Sequence, residues 1–474
     1  MRRTKIVATL GPATSTPEQI ARLTNAGMDV ARLNFSHGTH ADHAARLDMV
    51  RRAAVDADRP VAALMDLQGP KIRTGSLERG QAVKLVAGQS FTITTKKIIG
   101  TNQQVSTTYQ MLPIDVRKGD RILLSDGLIE LQVRDTTDDE VMTEVVHGGE
   151  LREHQGINLP GVRVSAPAVT EKDLEDLRFG LEQDVDYVAI SFVSKASDVQ
   201  RVKDLIAKAE KGTPVIAKIE RPEALDNLPE ILAAADGIMV ARGDLGVEMP
   251  PEQVPIMQKQ IIEAANRSGI PVITATQMLE SMITNPRPTR AEASDVANAI
   301  IDGTDAVMLS AETATGQYPI EAIQMMAVIA EVVEASGRHG DQGAVPRWSL
   351  PEIHSTPRAI GAAACSIARE LPLRAIVVFT KSGSTAQIVS HYRPHIPILA
   401  FTPSEQVYQR LSLLWGVRPM QIDMYERLDK LENRLLAILV DRGYAQPGDL
   451  VVMTGGHPTY RHGQTNFLKI VEVT

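Results

Sequence analysis

The chain has 474 residues, 43% hydrophobic and 23% charged, with 50 basic against 58 acidic side chains and a formal net charge of -8. That length exceeds what one hydrophobic core usually organises, so two or three domains are expected. The acidic surplus argues against a general nucleic-acid binder, while a locally basic cleft can still hold phosphates. Cys365 is the only cysteine, which excludes an intrachain disulfide and a cysteine-rich metal site. It falls in a helix-like segment and reads as a packed side chain.

The apolar run at 6–10 ends at Gly11-Pro12, too short for the core of a secretion signal. No uncharged apolar stretch reaches the roughly 18 residues of a membrane span. A cytoplasmic location and no membrane partner are the expectation.

Short apolar segments at 5–10, 30–35, 61–66, 187–192, 215–219, 237–240, 271–275 and 306–309 read as strands, each followed by a turn and a helix-like segment. Leu47, Val50, Ala54 and Val55 recur at helical spacing, as do Val199, Val202, Leu205 and Ile206. Eight such units predict a (β/α)8 barrel, with a doubly wound sheet as the alternative. Between 75 and 166 the helical segments give way to strand pieces at 82–85, 90–93, 122–124, 128–133 and 141–146. This interval reads as a small β domain inserted after the third barrel strand, where it would act as a lid. A helix at 319–335 runs into a polar, Gly-rich linker at 336–343. Strands at 375–379, 398–401, 417–421, 450–453 and 467–473 then predict a C-terminal α/β domain. The expected bounds are 1–74 and 167–342 for the barrel, 75–166 for the lid and 350–474 for the last domain.

Side chains two apart in a strand share a face, so Lys218 and Glu220 point together at a strand end. An ammonium there neutralises phosphoryl or enolate oxygens and a carboxylate holds a divalent cation; a surface ion pair is the plain alternative. The next strand end offers Asp244 as a second metal oxygen and Gly243 as a place for close backbone approach. Thr276 can donate to a carboxylate or cap a helix. Ser310, Glu312 and Thr313 follow the last barrel strand. Arg32 and Asn34 share strand parity, with Ser36 and His37 beyond them. Asp66 closes the third strand and Arg73 lies shortly after, so two arginines can grip a phosphate. His37 in Ser-His-Gly suits a turn better than a base. There is no Gly-x-Gly-x-x-Gly after the first strand and no P-loop.

Taken together, Arg32-Leu33-Asn34-Phe35-Ser36-His37-Gly38, Gly69-Pro70 with Ile72-Arg73-Thr74-Gly75, Glu171-Lys172-Asp173, Ala217 to Glu220, Arg242 to Gly246, Ala275 to Met282, Pro288 to Glu292 and Met308 to Thr313 resemble the pyruvate kinase family. The likeness runs over almost the whole chain. It implies a barrel with an inserted β-barrel lid and a regulatory C-terminal domain, and a cytoplasmic homotetramer. The reaction implied is the glycolytic transfer of the phosphoryl group of phosphoenolpyruvate to ADP. By the same resemblance, Glu220 and Asp244 bind Mg²⁺ (or Mn²⁺), and the amides near Gly243 and Asp244 receive the substrate carboxylate with Thr276. Arg32, Arg73 and Lys218 match the phosphate-binding, charge-neutralising groups. Asn34, His37, Arg73 and Lys172 match the ADP/ATP side.

Two departures carry expectations. Where many relatives show Asp-Thr-Lys-Gly-Pro-Glu, this chain has Asp66-Leu67-Gln68-Gly69-Pro70-Lys71. Asn34, Ser36, Asp66 and Leu67 would be the remnant of a monovalent-ion site with Lys71 standing in for K⁺, as in the K⁺-independent bacterial branch, so K⁺ is not expected to be required. Thr380, Lys381, Ser382, Gly383, Ser384 and Thr385 follow a strand and suit a phosphate nest or an ordinary strand-turn-helix. Fructose-1,6-bisphosphate types often have an arginine where Ser384 stands, and the loop 455–462 lacks their Trp/Arg pattern. A sugar monophosphate or AMP is therefore the expected effector. Two rivals share parts of this pattern: a barrel lyase or aldolase acting on pyruvate enolate, and a non-catalytic sugar-phosphate sensor. The first leaves Lys172, the insertion and the last domain without a purpose, and the intact Lys218, Glu220, Asp244 and Thr276 argue against the second.

Overall fold

A computed structural model describes residues 2–165, 167–337, 355–425, 427–456 and 465–474. The predicted linker beyond Gly337, and the domain edges at 166, 342 and 350, lie outside the described residues.

Eight parallel strands form a closed barrel. In chain order they are Lys5–Leu10, Val30–Asn34, Ala62–Asp66, Tyr187–Ile190, Val215–Ile219, Gly237–Ala241, Val272–Ala275 and Ala306–Leu309. Each pairs with its sequence neighbours, and the first closes on the last with Lys5 opposite Ala306. Nearly every strand position is buried, because helices cover the outer face and side chains fill the inner one. The helices begin where the sequence supplies caps. Thr39, Thr170 and Thr289 each accept from the N3 amide, while Asp42, Asp173 and Glu292 reach back to the cap. A doubly wound sheet is thereby excluded.

The segment between the third and fourth barrel strands builds a six-stranded sheet and a two-stranded one. Its own core includes Phe91, Ile93, Leu131 and Val141. In the strand Ile129–Thr136 buried and half-buried residues alternate, as expected of a sheet with one face packed. Three short strands, Gln104–Ser106, Gly149–Leu151 and Ile157–Asn158, were not foreseen. At two or three residues they are too short to show a period.

The C-terminal residues form a five-stranded sheet whose last strand, Phe467–Glu472, runs antiparallel to its neighbour Leu450–Gly455. This α/β unit docks on the amino-terminal end of the barrel. Lys5 Nζ donates to the Val417 carbonyl at 2.7 Å, and the Tyr187 hydroxyl to the Arg410 carbonyl at 2.8 Å. Buried Arg393 meets Asp305 at 2.8 Å and lies 4.7 Å from the Trp415 ring centroid. The opposite, carboxyl end of the barrel is left to the inserted domain. Among the described residues, no helix is long and apolar enough to cross a membrane.

Candidate active site

The carboxyl ends of the first, second, third and fifth barrel strands feed one line of alternating charge. Arg32 donates through Nε and Nη2 to Asp66 Oδ2, each at 2.7 Å, and through Nη1 to Thr9 Oγ1 at 3.0 Å. Asp66 Oδ1 lies 3.2 Å from the Lys218 ammonium, which is 2.9 Å from Glu220 Oε1. Lys218 also donates to Ser191 Oγ at 2.7 Å, and that hydroxyl donates to the Leu67 carbonyl at 2.8 Å. Glu220 Oε2 accepts from the Phe192 amide at 2.7 Å. All four charged groups are buried.

Burial so deep is tolerated only with partners in place. Burial pushes Lys218 down, but Asp66 and Glu220 outweigh it and hold the ammonium charged well above the ordinary lysine range. Asp66 is likewise pushed up by burial, yet Lys218 and Arg32 win and leave it below the usual carboxylate range. Glu220 goes the other way: burial raises it, and the nearby Asp244 charge adds to that despite Lys218.

Asp244 sits in the first turn of the helix Arg242–Glu248. Thr276 and Gln277 follow the seventh strand with φ of 67° and 53°. The Gly243 amide donates to Thr276 Oγ1 at 2.7 Å, and that hydroxyl donates to the Ala275 carbonyl at 2.6 Å. A Cβ on Gly243 would stand 3.3 Å from Thr276 Oγ1, so the close approach favours glycine. Ser310 Oγ is buried with no hydrogen-bond partner, and burial raises the neighbouring Glu312 carboxyl, which accepts from the Ser310 and Leu279 amides.

A cleft of about 320 Å³ opens beside Asp244. Its barrel wall includes His37, Lys71, Arg221, Asp244 and Glu248, and its lid wall includes Asp126, His154 and Asn158. Arg73 also lines it, and its backbone belongs to the lid: its amide donates to Thr108 Oγ1 at 3.0 Å and its carbonyl accepts from the Thr108 amide at 2.9 Å. Asn158 Nδ2 donates to Glu248 Oε1 at 3.1 Å, tying lid to barrel. Burial lowers His37, and Lys71, Arg73 and Arg32 lower it further, which favours the neutral imidazole. Lys71 is held below the ordinary lysine range by burial, with Asp244 opposing and Lys218 and Arg73 reinforcing.

Of the other residues singled out in the sequence, Lys172 and the turn from Thr380 to Thr385 are not among those lining the cleft. Lys172 donates to the Phe35 carbonyl at 2.9 Å and pairs with Asp176, which also holds His40 Nε2 at 2.7 Å. Asn34 stands opposite Asp66 in register, and its Oδ1 accepts from the Ser36 amide at 3.1 Å. The charges acting on Lys71 are chiefly those of Asp244, Lys218, Arg73 and Glu220. In the last domain, Thr380 to Thr385 join the strand Leu373–Phe379 to the helix Ser384–His391. Gly383 has φ 88° and donates to Thr380 Oγ1 at 2.9 Å, Ser382 and Ser384 share a hydrogen bond of 3.0 Å, and Thr385 meets Thr465 at 2.7 Å. The loop 455–462 lies outside the described residues beyond Gly456.

Sequence reasoning missed Ser191, Arg221, Glu248 and Asn158. Ser191 was visible only as a polar residue near the end of the predicted strand 187–192, with nothing to pair it with Lys218. Asp66 stands between two cations, Arg32 and Lys218.

A closed (β/α)8 barrel with a charged cleft at its carboxyl end is the architecture of an enzyme. Residues 1–323 match the family described as pyruvate kinase, barrel domain, and residues 358–471 the one described as pyruvate kinase, alpha/beta domain. Pyruvate kinases of two Staphylococcus aureus strains, USA300 and NCTC 8325, are each 49% identical over 472 residues, covering 99% of this chain and 80% of theirs. The crystal structure of a pyruvate kinase from Cryptosporidium parvum superposes with a TM-score of 0.93 at 36% identity, over 100% of this chain and 96% of that one. The chain belongs to the pyruvate kinase family, and its reaction is the conversion of phosphoenolpyruvate and ADP to pyruvate and ATP.

Proposed function

We propose that the buried charge line is the engine of this reaction, with Lys218 at its centre. The observation that carries this is a buried ammonium kept charged by Asp66 and Glu220 at the carboxyl end of the fifth barrel strand. Arg32, Arg73 and Lys218 hold the phosphoryl oxygens, and Arg73 arrives with the lid. The Gly243 and Asp244 amides and Thr276 receive the substrate carboxylate. ADP attacks phosphorus in line, with its phosphates on the Asn34, His37, Arg73 and Lys172 side; Lys172 must leave Asp176 to reach them. Lys218 then meets negative charge where it develops, on the enolate oxygen, which is where binding energy accelerates the chemistry. Ser310, whose buried hydroxyl lacks a partner, can seat the water that protonates the enolate with Thr276.

Among the described residues no group of three or more acidic, His or Cys side chains is placed to hold a metal. The Asp244 charge reaches Glu220 and helps raise its carboxyl. That donor set fits Mg²⁺ or Mn²⁺, which take few carboxylates and complete their shell with substrate oxygens and water. A divalent ion bound there supplies Lewis-acid polarisation of the phosphoryl and enolate oxygens.

Lys71 brings a tethered ammonium into the cleft, so the K⁺ requirement falls away. ADP-dependent pyruvate formation with Mg²⁺ in tetramethylammonium buffer should proceed at essentially the rate seen with K⁺. A rise in turnover of roughly tenfold or more on adding K⁺ would sink this reading.

The turn from Thr380 to Thr385 is proposed to take a monophosphorylated effector, a sugar monophosphate or AMP, in a homotetramer. Its support is the glycine in left-handed conformation and the hydroxyls of Ser382 and Ser384. Saturation curves at low phosphoenolpyruvate should shift left with such monophosphates. Activation by fructose-1,6-bisphosphate alone, or a monomer in sedimentation, would count against it.

A further inference from the structure

Arg242 precedes the Gly243-Asp244 pair and is only 9% exposed, yet it does not line the cleft. Its guanidinium is spent on one turn. Nε donates to the Ala275 carbonyl at 3.3 Å, while Nη2 donates to the Thr276 carbonyl at 2.8 Å and the Gln277 carbonyl at 3.3 Å. Nη1 is oriented from the far side by Asp295 Oδ1 at 2.7 Å and Gln258 Oε1 at 3.2 Å. Gln258 is itself anchored, donating to Asp302 at 2.9 Å.

The turn so held is an unfavourable one. Thr276 and Gln277 are consecutive non-glycine residues with φ of 67° and 53°, and Thr276 is β-branched. Side chains rarely occupy that region, a β-branched one least of all, and such backbone persists only when its surroundings over-determine it. Left alone, the peptides of the turn would rotate toward negative φ. Thr276 Oγ1 would then leave the Gly243 amide, which it meets at 2.7 Å. The fork geometry of a guanidinium is what lets one side chain fix three successive carbonyls.

We propose that Arg242, oriented by Asp295, is a positioning residue that clamps the Ala275-Thr276-Gln277 carbonyls and so sets the receptor for the carboxylate of phosphoenolpyruvate. This rests on the reading of Thr276 and the Gly243 amide as that receptor. Arg242 touches no substrate; it acts through Thr276. The nucleotide side of the cleft lies on other strands, so the effect is confined to one substrate.

The test is steady-state kinetics with each substrate varied, on R242K, D295N, R242K/Q277G and T276A, with melting curves to establish folding. R242K keeps the charge but loses the fork. It should raise KM for phosphoenolpyruvate roughly tenfold while KM for ADP stays within about twofold. D295N should move the same constant in the same direction by about threefold. Gln277 has an exposed side chain, and glycine occupies positive φ without strain. Adding Q277G to R242K should therefore recover part of the loss, about threefold, which simple damage to packing would not. The clamp is overturned if R242K shifts both KM values in parallel, if folded R242K gains nothing from Q277G, or if D295N leaves KM for phosphoenolpyruvate unchanged. D295N decides alone should R242K fail to fold. T276A separates the two ideas: an unchanged KM for phosphoenolpyruvate sinks the carboxylate reading itself, whereas a raised one beside normal R242K sinks only the clamp.

Discussion

Replacing Lys218 with methionine is expected to lower kcat about a thousandfold, the largest loss of any single substitution at this site. Methionine keeps the length and the apolar stem but removes the one ammonium that Asp66 and Glu220 hold at 3.2 and 2.9 Å. Nothing else among the described residues donates to the same place, since Arg32 is committed to Asp66 and Thr9. The enolate leaving group would then form without its neutralising charge. Two buried carboxylates would also lose their partner, a change that typically costs about 3–5 kcal/mol, so melting curves must show that the variant is folded before its rate is read. Divalent-ion affinity should hold or tighten, because Glu220 is freed of a competing cation; Mn²⁺ titration followed by the free-ion spin signal reads this directly. A kcat within tenfold of the parent in the folded variant would remove Lys218 from the chemistry.

Asp66→Asn should produce the second-largest effect, a loss of roughly a hundredfold in kcat/KM for phosphoenolpyruvate with a smaller change for ADP. Asp66 Oδ2 takes both Arg32 nitrogens at 2.7 Å while Oδ1 faces Lys218, so one carboxylate sets two cations at once. An amide offers one oxygen to two donors and turns an N–H toward a third. The same substitution makes a statement about pH. Burial works to raise the Asp66 pKa, but Lys218 and Arg32 depress it below its unfolded value. A depressed carboxyl contributes stability above the unfolded carboxylate range and loses it as pH falls through the folded value. The gap in melting temperature between parent and variant should therefore be full at neutral pH and narrow only as pH falls below ~4. A gap that is constant or widens on acidification would show that Asp66 is not held by these two cations.

Much of this protein could be read before any fold was known. The barrel strands stood out because a strand buried on both faces is a short, unbroken apolar run, and eight of them followed by helical segments leave few architectures. Lys218 and Glu220 could be put together because side chains in a strand repeat every two residues, and they meet at 2.9 Å. The strand ends shifted slightly: the fourth stops at Ile190, where Ser191 turns toward Lys218 and Phe192 takes φ 57°.

What sequence alone determined is the set of apolar periods and the chemistry at the strand ends, since both are local and a few neighbouring residues specify them. Only tertiary structure decided which charges neutralise which. Arg32, Asp66, Lys218 and Glu220 come from strands distant in the chain, and closure of the barrel is what lays them in one line. The same holds for Arg242, whose partners Ala275, Thr276 and Asp295 sit on other elements, and for Arg73, whose backbone is hydrogen-bonded to Thr108 of the inserted domain. Coulomb interactions and hydrogen bonds depend on distance in space, and no periodicity along a chain encodes that.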